Sequence, residues 1–388
     1  MSVVQVPGIY LEEVVSRPPA ELRTGVPAFL GFVHPDDPTV KNATPRFNTP
    51  RVVTLWPRVE QIFGPLPLDG YLGYALRGFL QNGGSLCYVV GLDPSVDREA
   101  ALLAGLKSLE PLDAVDLVCA PDVMLPVPGG VVRPDQILRM QRALLEHCSR
   151  LADRFAILDA WPSSLGGVLD QRRALQSSNA ALYYPWIKIQ DGPSTPGGLV
   201  PPCGHVAGVY AESDREFGVH KAPANVALEG VLDLEDDLTD AQQAALPKGI
   251  NCLRAFPGRG IRVWGAQTLS DDPDWTYVGV RRLFLTAARW IERNLADATF
   301  EPNDATLWAR ITRDLSAYFT GLLRQGALKG NTAQEAFYVK CDAETNPASV
   351  RDAGLVVTEI GLAPVLPGEL IRVHIVNSPG GVSIAAPA

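Results

Sequence analysis

Four residues have the types that could perform hydrolytic chemistry. Asp122 and Asp159 each follow an apolar segment typical of a buried strand, and the carboxyl end of a parallel sheet often carries catalytic groups. Asp159, Ser163 and His205 would supply the three groups of a serine hydrolase. Their spacing does not support this set, and an aspartate after a strand more commonly closes a turn or caps a helix. We therefore expect a protein without catalytic residues, with a hydrolase-like α/β enzyme as the alternative.

Motifs that would indicate a nucleotide, metal or cofactor site are missing from the sequence. There is no GxSxG, GxxxxGK[ST] or HExxH segment. The segment Gly258-Arg-Gly260 lacks the third glycine of a dinucleotide fingerprint, because Val263 stands at that position. The five histidines have no metal-ligand spacing, and the six cysteines form no CxxC pair, so we expect buried free thiols. We predict no cofactor and no metal.

Charge and hydropathy exclude further classes of function. The 388 residues include 34 Lys and Arg against 43 Asp and Glu, a net charge of −9, which is the wrong sign for neutralising phosphates. No segment approaches the roughly 18 consecutive apolar residues of a membrane span, and the N-terminus lacks the order of a signal peptide. We expect no nucleic-acid partner, no direct membrane insertion and a cytoplasmic location.

The patterning predicts two folded units with strand-forming ends. At roughly 150 residues per domain, the length favours two to three domains. Short apolar runs alternate with helical patterns from about 52 to 190, which indicates an α/β layer arrangement, and the second half places two amphipathic helices before three strands, which favours an antiparallel sheet. The predicted fold class is α/β and α+β. We expect the C-terminal domain to open with a strand pair. The predicted segments are an N-terminal arm at 1–26, an α/β domain at 27–230, an acidic linker at 231–249, a C-terminal domain at 250–363, and a C-terminal strand and arm at 364–388.

Three arginines are predicted to lie on one helix. Arg282, Arg289 and Arg293 occupy positions i, i+7 and i+11 of VRRLFLTAARWIERNL, opposite an apolar stripe that includes Val280 and Phe284. This spacing predicts a solvent-facing basic ridge. Two interpretations stay open, an ordinary solvated face and a contact surface for an acidic partner.

Both chain ends carry strand-forming residues with no evident local partner. Pro7-Gly8 interrupts the N-terminal run, and the tail NSPGGVSIAAPA follows the C-terminal strand without a visible helix or sheet to join. The strands either fold back onto their own domain or are donated to another subunit through main-chain hydrogen bonds. The residues expected in such inter-subunit arms are Val6, Ile9, Tyr10, Leu11, Ile371, Val373 and Ile375.

Several long segments resemble the tail sheath proteins of contractile phages and phage-like contractile injection systems. The resemblance runs nearly from end to end, and its C-terminal segments are long enough to be specific. The segments are VPGIYLEEV (6–14), YALRGFLQNGGSLCYVV (74–90), GHVAGVYAESDREFGVHKAPAN (204–225), INCLRAFPGRGIRVWGAQTLSDDPDWTYVGVRRLF (250–284), FEPND (300–304) and AFYVKCDAETNP (336–347).

This resemblance implies a non-enzymatic structural subunit with a two-domain tail-sheath-like fold and extended arms. The α/β domain would be the outer domain and the C-terminal domain the inner one. Such subunits form hexameric rings stacked helically around an inner tube, exchange arm strands, and contract to drive the tube through a target membrane. The implied partners are further copies of the chain, the inner tube protein, and baseplate and cap proteins. A minor sheath paralogue near the baseplate or cap is the alternative within the family, and the basic ridge would face the tube.

Overall fold

A computed structural model describes residues 22–34, 46–127, 130–162, 165–190, 198–365, 371–378 and 381–385. Within these ranges the strands are β1 (Pro27–Phe32), β2 (Arg51–Val53), β3 (Cys87–Leu92), β4 (Leu117–Cys119), β5 (Phe155–Asp159), β6 (Ala180–Tyr184), β7 (Ile187–Ile189), β8 (Leu199–Val200), β9 (Val231–Leu234), β10 (Ile250–Phe256), β11 (Gly260–Trp264), β12 (Phe337–Lys340), β13 (Val356–Leu362), β14 (Ile371–Ser378) and β15 (Gly381–Ala385).

The helices of the same ranges alternate with these strands. They are α1 (Trp56–Phe63), α2 (Leu72–Gln81), α3 (Arg98–Leu109), α4 (Pro134–Leu151), α5 (Leu165–Ala174), α6 (Cys203–Phe217), α7 (Asp240–Ala244), α8 (Val278–Asn294), α9 (Ala305–Arg324), α10 (Ala333–Ala336) and α11 (Ala348–Asp352).

An eight-stranded sheet with helices on both faces confirms the predicted α/β arrangement. Its order is β11-β10-β6-β5-β4-β1-β3-β2, with a parallel run from β10 to β3 and antiparallel strands at both edges. Successive residues of a strand point to opposite faces. Accordingly Phe29 contacts Phe79 of α2 with ring centroids 5.5 Å apart, whereas Leu30 lies against Gly105 of α3.

A second hydrophobic core joins α8 and α9 to a small antiparallel sheet, as the sequence predicts. The sheet has the order β12-β13-β14-β15, and each neighbouring pair is antiparallel. Helix α9 is capped by Asp304, whose carboxylate accepts hydrogen bonds from Thr306 N at 2.8 Å and Leu307 N at 3.1 Å. Leu315 and Phe319 of this helix are fully buried in the second core.

Two expectations about the middle of the chain are wrong. The strand pair expected to open the C-terminal domain, β10 and β11, instead extends the large sheet, where β10 runs parallel to β6. The acidic segment expected to be a linker contains β9, which pairs with β7 in a separate three-stranded sheet with β8. Tyr184 donates to Asp236 at 2.8 Å, so the acidic run is bonded to the first domain.

The chain ends differ in how far the structure describes them. Val6, Ile9, Tyr10 and Leu11 lie outside the described residues. The C-terminal tail, for which the sequence shows no evident helix or sheet to join, forms β15, which pairs with β14, and β14 pairs with β13 of its own chain. The described C-terminal strand therefore follows the first of the two open alternatives, folding back onto its own domain.

Candidate functional site

The residues weighed as a hydrolase set do not form a catalytic arrangement in the described structure. Asp159 Oδ1 accepts a hydrogen bond from Cys203 N at 2.8 Å, at the start of α6, which is the capping role. His205 lies in the same helix turn, but its Nδ1 is buried without a hydrogen-bond partner among the described residues. Burial lowers the pKa of His205 to about 4 and raises the pKa of Asp159 to about 7. Ser163 lies outside the described residues.

Asp122 serves as a hub for backbone N–H groups. Its Oδ2 accepts from Phe32 N at 2.7 Å, and its Oδ1 accepts from Tyr71 N at 2.6 Å and Leu72 N at 3.1 Å. The residue is almost completely buried, and this burial raises the pKa of its carboxyl group to about 6, while the three N–H donors oppose the rise. Both carboxylate oxygens are occupied in joining the end of β1 to the start of α2.

The described ranges offer neither a metal site nor a membrane-spanning helix. No group of three or more His, Cys, Asp or Glu side chains there is arranged to hold a metal ion. No described helix combines the length and apolar character that a membrane span requires. All six cysteines are free and buried, in agreement with the expectation from their apolar surroundings.

The charged cluster around Arg282 overturns the predicted basic ridge. Arg282 is 2% exposed and donates from Nη1 to Asp214 Oδ1 at 2.7 Å and from Nη2 to Asp214 Oδ2 at 2.6 Å. Its Nη2 also donates to Asp116 Oδ2 at 2.8 Å. Burial alone would lower the pKa of Arg282, but the two carboxylates hold it above its usual range. The cluster is a buried ion-pair network between α8, α6 and the residue before β4.

The other two arginines have different environments. Arg289 is 5% exposed and donates from Nη2 to the carbonyl oxygen of Asp113 at 2.7 Å, whereas Arg293 is exposed. Helix α8 lies between the two hydrophobic cores, because Leu285 belongs to the first and Leu283 to the second. Its face opposite the apolar stripe is therefore covered as well. A solvent-facing ridge of all three residues is therefore wrong, and Arg293 alone of the three is available to a partner.

The same cluster holds the first described residues of the chain. Asp116 Oδ2 accepts from Gly25 N at 3.0 Å, and Asp116 Oδ1 accepts from Val26 N at 2.6 Å. In return Asp116 N donates to Val26 O at 3.2 Å. Sequence reasoning missed Asp116 and Asp214, because their partner on α8 is 166 and 68 residues away. The local pattern carries no signal for such a long-range ion pair.

Exposed apolar side chains mark further surfaces that the isolated chain leaves uncovered. Phe300 is 98% exposed and has a φ of 74°, a left-handed conformation that is unfavourable for a bulky side chain. The loop is fixed next to this residue by Asn303, which donates to Leu355 O at 2.7 Å and accepts from Trp308 Nε1 at 2.8 Å. Contiguous exposed apolar patches are typical of interaction surfaces, whereas single exposed apolar side chains are common.

Two family models match consecutive parts of the chain. The model described as the phage tail sheath protein central domain matches residues 117–269, and the model described as the phage tail sheath C-terminal domain matches residues 270–376. Together they span more than half of the sequence. Their boundary follows β11, in agreement with the observed place of β10 and β11 in the large sheet.

Known proteins of similar sequence or structure extend this result. The tail sheath protein of Vibrio phage KVP40 is 30% identical over 170 residues, which cover 42% of this chain and 24% of the phage protein. The matched residues thus span about a quarter of the length of that curated relative. A chain of the anti-feeding prophage helical sheath in the contracted state is 33% identical, with 95% of this chain and 98% of that chain covered and a TM-score of 0.70. A chain of the anti-feeding prophage baseplate is 32% identical, with 95% and 98% covered and a TM-score of 0.73.

Proposed function

Because the chain belongs to the phage tail sheath family, we propose that it polymerises into a contractile helical sleeve around an inner tube. Contraction of this sleeve drives the tube through a target membrane. The observation that carries the proposal is the similarity over 95% of the chain to a helical sheath in its contracted state, at 33% identity. A match over 95% of the chain supports the same kind of lattice for this subunit.

The proposed partners follow from this lattice. The subunit forms hexameric rings with other copies, and a heterologous contact that does not close stacks the rings into a helical array. The inner tube protein, the baseplate and the cap are the other partners, and assembly takes place in the cytoplasm. Exposed apolar groups such as Phe300 and Leu68 support contacts of this type, because association would remove them from water.

The arms are proposed to tether neighbouring subunits by strand exchange. The hairpin of β14 and β15 adds to the edge of β13, and the same edge of a neighbouring copy could accept it with the same main-chain hydrogen bonds. Ile371, Val373 and Ile375 would lie in the exchanged strand. Val6, Ile9, Tyr10 and Leu11 would form the corresponding N-terminal strand.

Contact with the tube is proposed through the exposed last turn of α8. Arg293, which is exposed, could pair with acidic groups of the tube, and exposed ion pairs contribute about 1 kcal/mol or less and are screened by salt. Such contacts could set the register of the sleeve and then break during contraction. Arg293→Glu should reduce tube-dependent assembly while Arg313→Glu, an exposed arginine on α9, should leave it unchanged.

We also propose that the subunit has no enzymatic activity. The two buried aspartates that could suggest catalysis are occupied by backbone N–H groups, Asp122 by three donors and Asp159 by Cys203 N. Their raised pKa values follow from burial in a structural role. A purified chain should therefore give no turnover on a panel of generic esters.

A second candidate function is that of a minor sheath paralogue next to the baseplate. The similarity to a chain of the anti-feeding prophage baseplate, at a TM-score of 0.73, favours this possibility. A main sheath subunit would form sleeves as long as the tube, whereas a baseplate paralogue would form short rings at one end.

The experiment is co-expression of the full chain with its inner tube protein, followed by electron microscopy. The proposal expects long sleeves around tubes, and short rings at one end would identify the paralogue instead. Monodisperse soluble chains that hydrolyse esters would overturn the sheath function. Expression of the chain without the tube protein is the control for tube dependence.

A further inference from the structure

The segment Thr24–Val26, here called the arm root, is held to the molecule by buried charged groups. Gly25 N and Val26 N donate to the two carboxylate oxygens of Asp116 at 3.0 and 2.6 Å, and the Thr24 side chain forms a hydrogen bond with Asp214. Charge-assisted hydrogen bonds to a carboxylate are stronger than neutral ones, and burial strengthens them further. The arm root is thus bound at the point where residues 1–23 join the folded chain.

The backbone geometry of the arm root depends on a residue without a side chain. Gly25 has a φ of +68°, and a Cβ atom at this position would lie 2.6 Å from Ala211 Cα of α6. A contact of that length with backbone cannot form without displacement. Gly25 therefore lets the segment lie directly on α6 while its N–H points at Asp116.

The carboxylates that hold the arm root also hold α8. Arg282 bonds Asp214 with both terminal nitrogens and Asp116 with Nη2, and its guanidinium lies 5.0 Å from the ring centroid of Tyr210. Neighbouring residues of α8, including Leu283 and Phe284, belong to the C-terminal core. One arginine thus joins three parts of the chain: the arm root, the first domain and the C-terminal domain.

We propose that Arg282 is a positioning residue for the N-terminal arm, which it couples to the C-terminal domain through Asp116 and Asp214. This inference rests on the proposed function, in which the arm connects neighbouring subunits. The clamp fixes the backbone of residues 24–26, from which the N-terminal segment continues. Force applied to the arm, or free energy of binding at the arm, is therefore transmitted to α8. By thermodynamic linkage, a change at α8 affects the arm root with the same coupling free energy.

Hydrogen exchange on the full-length, unassembled chain tests the clamp directly. The measured quantity is the exchange rate of the amides of residues 24–26 divided by that of the β5 amides, whose exchange reports general unfolding. In Arg282→Met this ratio should be at least tenfold higher than in the unmodified chain. Arg289→Met is the matched control, because Arg289 is a buried arginine of the same helix that bonds Asp113 O and no arm-root residue. Equal exchange ratios in the two variants would overturn the proposal.

A second pair of variants tests the same coupling by changing the arm root instead of α8. It keeps the proposal testable if Arg282→Met does not fold. Gly25→Ala should displace the arm root and speed exchange several-fold in residues 282–286 of α8. Gly258→Ala imposes the same left-handed strain at a φ of +71°, but nothing lies within 4 Å of its Cβ, so α8 should exchange as in the unmodified chain. An unchanged α8 in Gly25→Ala would contradict the coupling.

These measurements separate the clamp from the proposed function. Exchange is measured in the unassembled chain, so it reports the clamp whether or not the chain builds sleeves. Sleeve formation by the same variants is scored by electron microscopy as a second readout, in which Arg282→Met should yield fewer sleeves than Arg289→Met. A variant with a loosened arm root and normal sleeve yield would show that the clamp does not serve assembly, and would overturn the positioning role while leaving the sheath function intact.

Discussion

At the residue scale, the buried aspartates of the large sheet stabilise backbone geometry and create a dependence of stability on pH. Asp159 has its pKa raised from 3.8 to about 7, first by burial, against the opposing hydrogen bonds from Cys203. The folded chain therefore binds this proton more tightly than the unfolded chain. The contribution to stability is complete below about pH 4 and is lost as the pH rises through about 7.

Asp159→Asn should remove this loss, because the asparagine oxygen can still accept from Cys203 N and the group no longer ionises. The free energy of unfolding of the variant, relative to the original chain, should be constant below pH 4 and increase by up to roughly 4 kcal/mol by pH 8. Urea denaturation at several pH values measures this difference. A difference that stays flat from pH 4 to pH 8 would show that Asp159 ionises freely in the folded state.

The corresponding change at Asp122 should be less favourable than the change at Asp159. Both oxygens of Asp122 accept from N–H groups, and an asparagine nitrogen cannot replace the second acceptor. At pH 8 we expect Asp122→Asn to gain less stability than Asp159→Asn, by about 1–3 kcal/mol, because the lost acceptor offsets the gain from removing a carboxyl group whose pKa is also raised. Urea denaturation of the two variants side by side measures this difference. Equal stability of the two variants would contradict the hub role of Asp122.

At the element scale, the closeness of α2 and α6 depends on glycines. A Cβ at Gly208 would lie 2.6 Å from Asn82 Cβ and 2.7 Å from Phe79 O, whereas a Cβ at Gly321 of α9 would have nothing within 4 Å. Glycine is intrinsically unfavourable in a helix, so each glycine needs a structural reason. The reason at Gly208 is helix contact, and the described neighbours of Gly321 offer none.

This contrast predicts opposite effects of the same substitution. Gly208→Ala should destabilise the fold by about 1–3 kcal/mol, because the added methyl group overpacks the contact. Gly321→Ala should stabilise it by about 0.5–1 kcal/mol through helix propensity. The midpoints of urea unfolding for the two variants measure both effects, and a stabilised Gly208→Ala would mean that α2 and α6 are not in close contact.

The elements themselves were predictable where their signals are local. Helix α9 follows from the cap at Asp304 and the spacing of Leu307, Ile311 and Leu315. The burial of α8 on both sides could not be derived, because Arg282 finds its carboxylates far away in the sequence. The β15 strand was also missed, although the Pro379-Gly380 pair before it is a turn signal.

At the scale of the whole molecule, two hydrophobic cores share one chain. The first includes Leu253 and Val263 of the β10–β11 pair, and the second includes Ile311 and Ile360. The alternation of apolar and polar residues predicted strands β10 and β11. It did not predict which sheet they join, since that depends on pairing with β6, about 70 residues earlier. The division into two folded units was predictable, whereas the position of their boundary required the tertiary structure.

Deletion of residues 369–388 should separate folding from assembly. It removes β14 and β15, which belong to the four-stranded sheet, and spares every strand of the eight-stranded sheet, so the first domain should unfold at an unchanged urea concentration while sleeves are lost. Deletion of 386–388, which spares both strands, is the control and should assemble normally. Full-length sleeves from the larger deletion would show that strand exchange by this arm is unnecessary.

The central claim, a contractile sheath subunit, is tested most directly by helical reconstruction of the assembled protein. Sleeves formed on the inner tube would be imaged by cryo-electron microscopy before and after a contraction trigger such as mild denaturant. We expect six subunits per ring in both states, with a shorter and wider sleeve after the trigger and arm strands paired between subunits. Closed rings that do not stack, or sleeves of unchanged length and diameter, would contradict the claim.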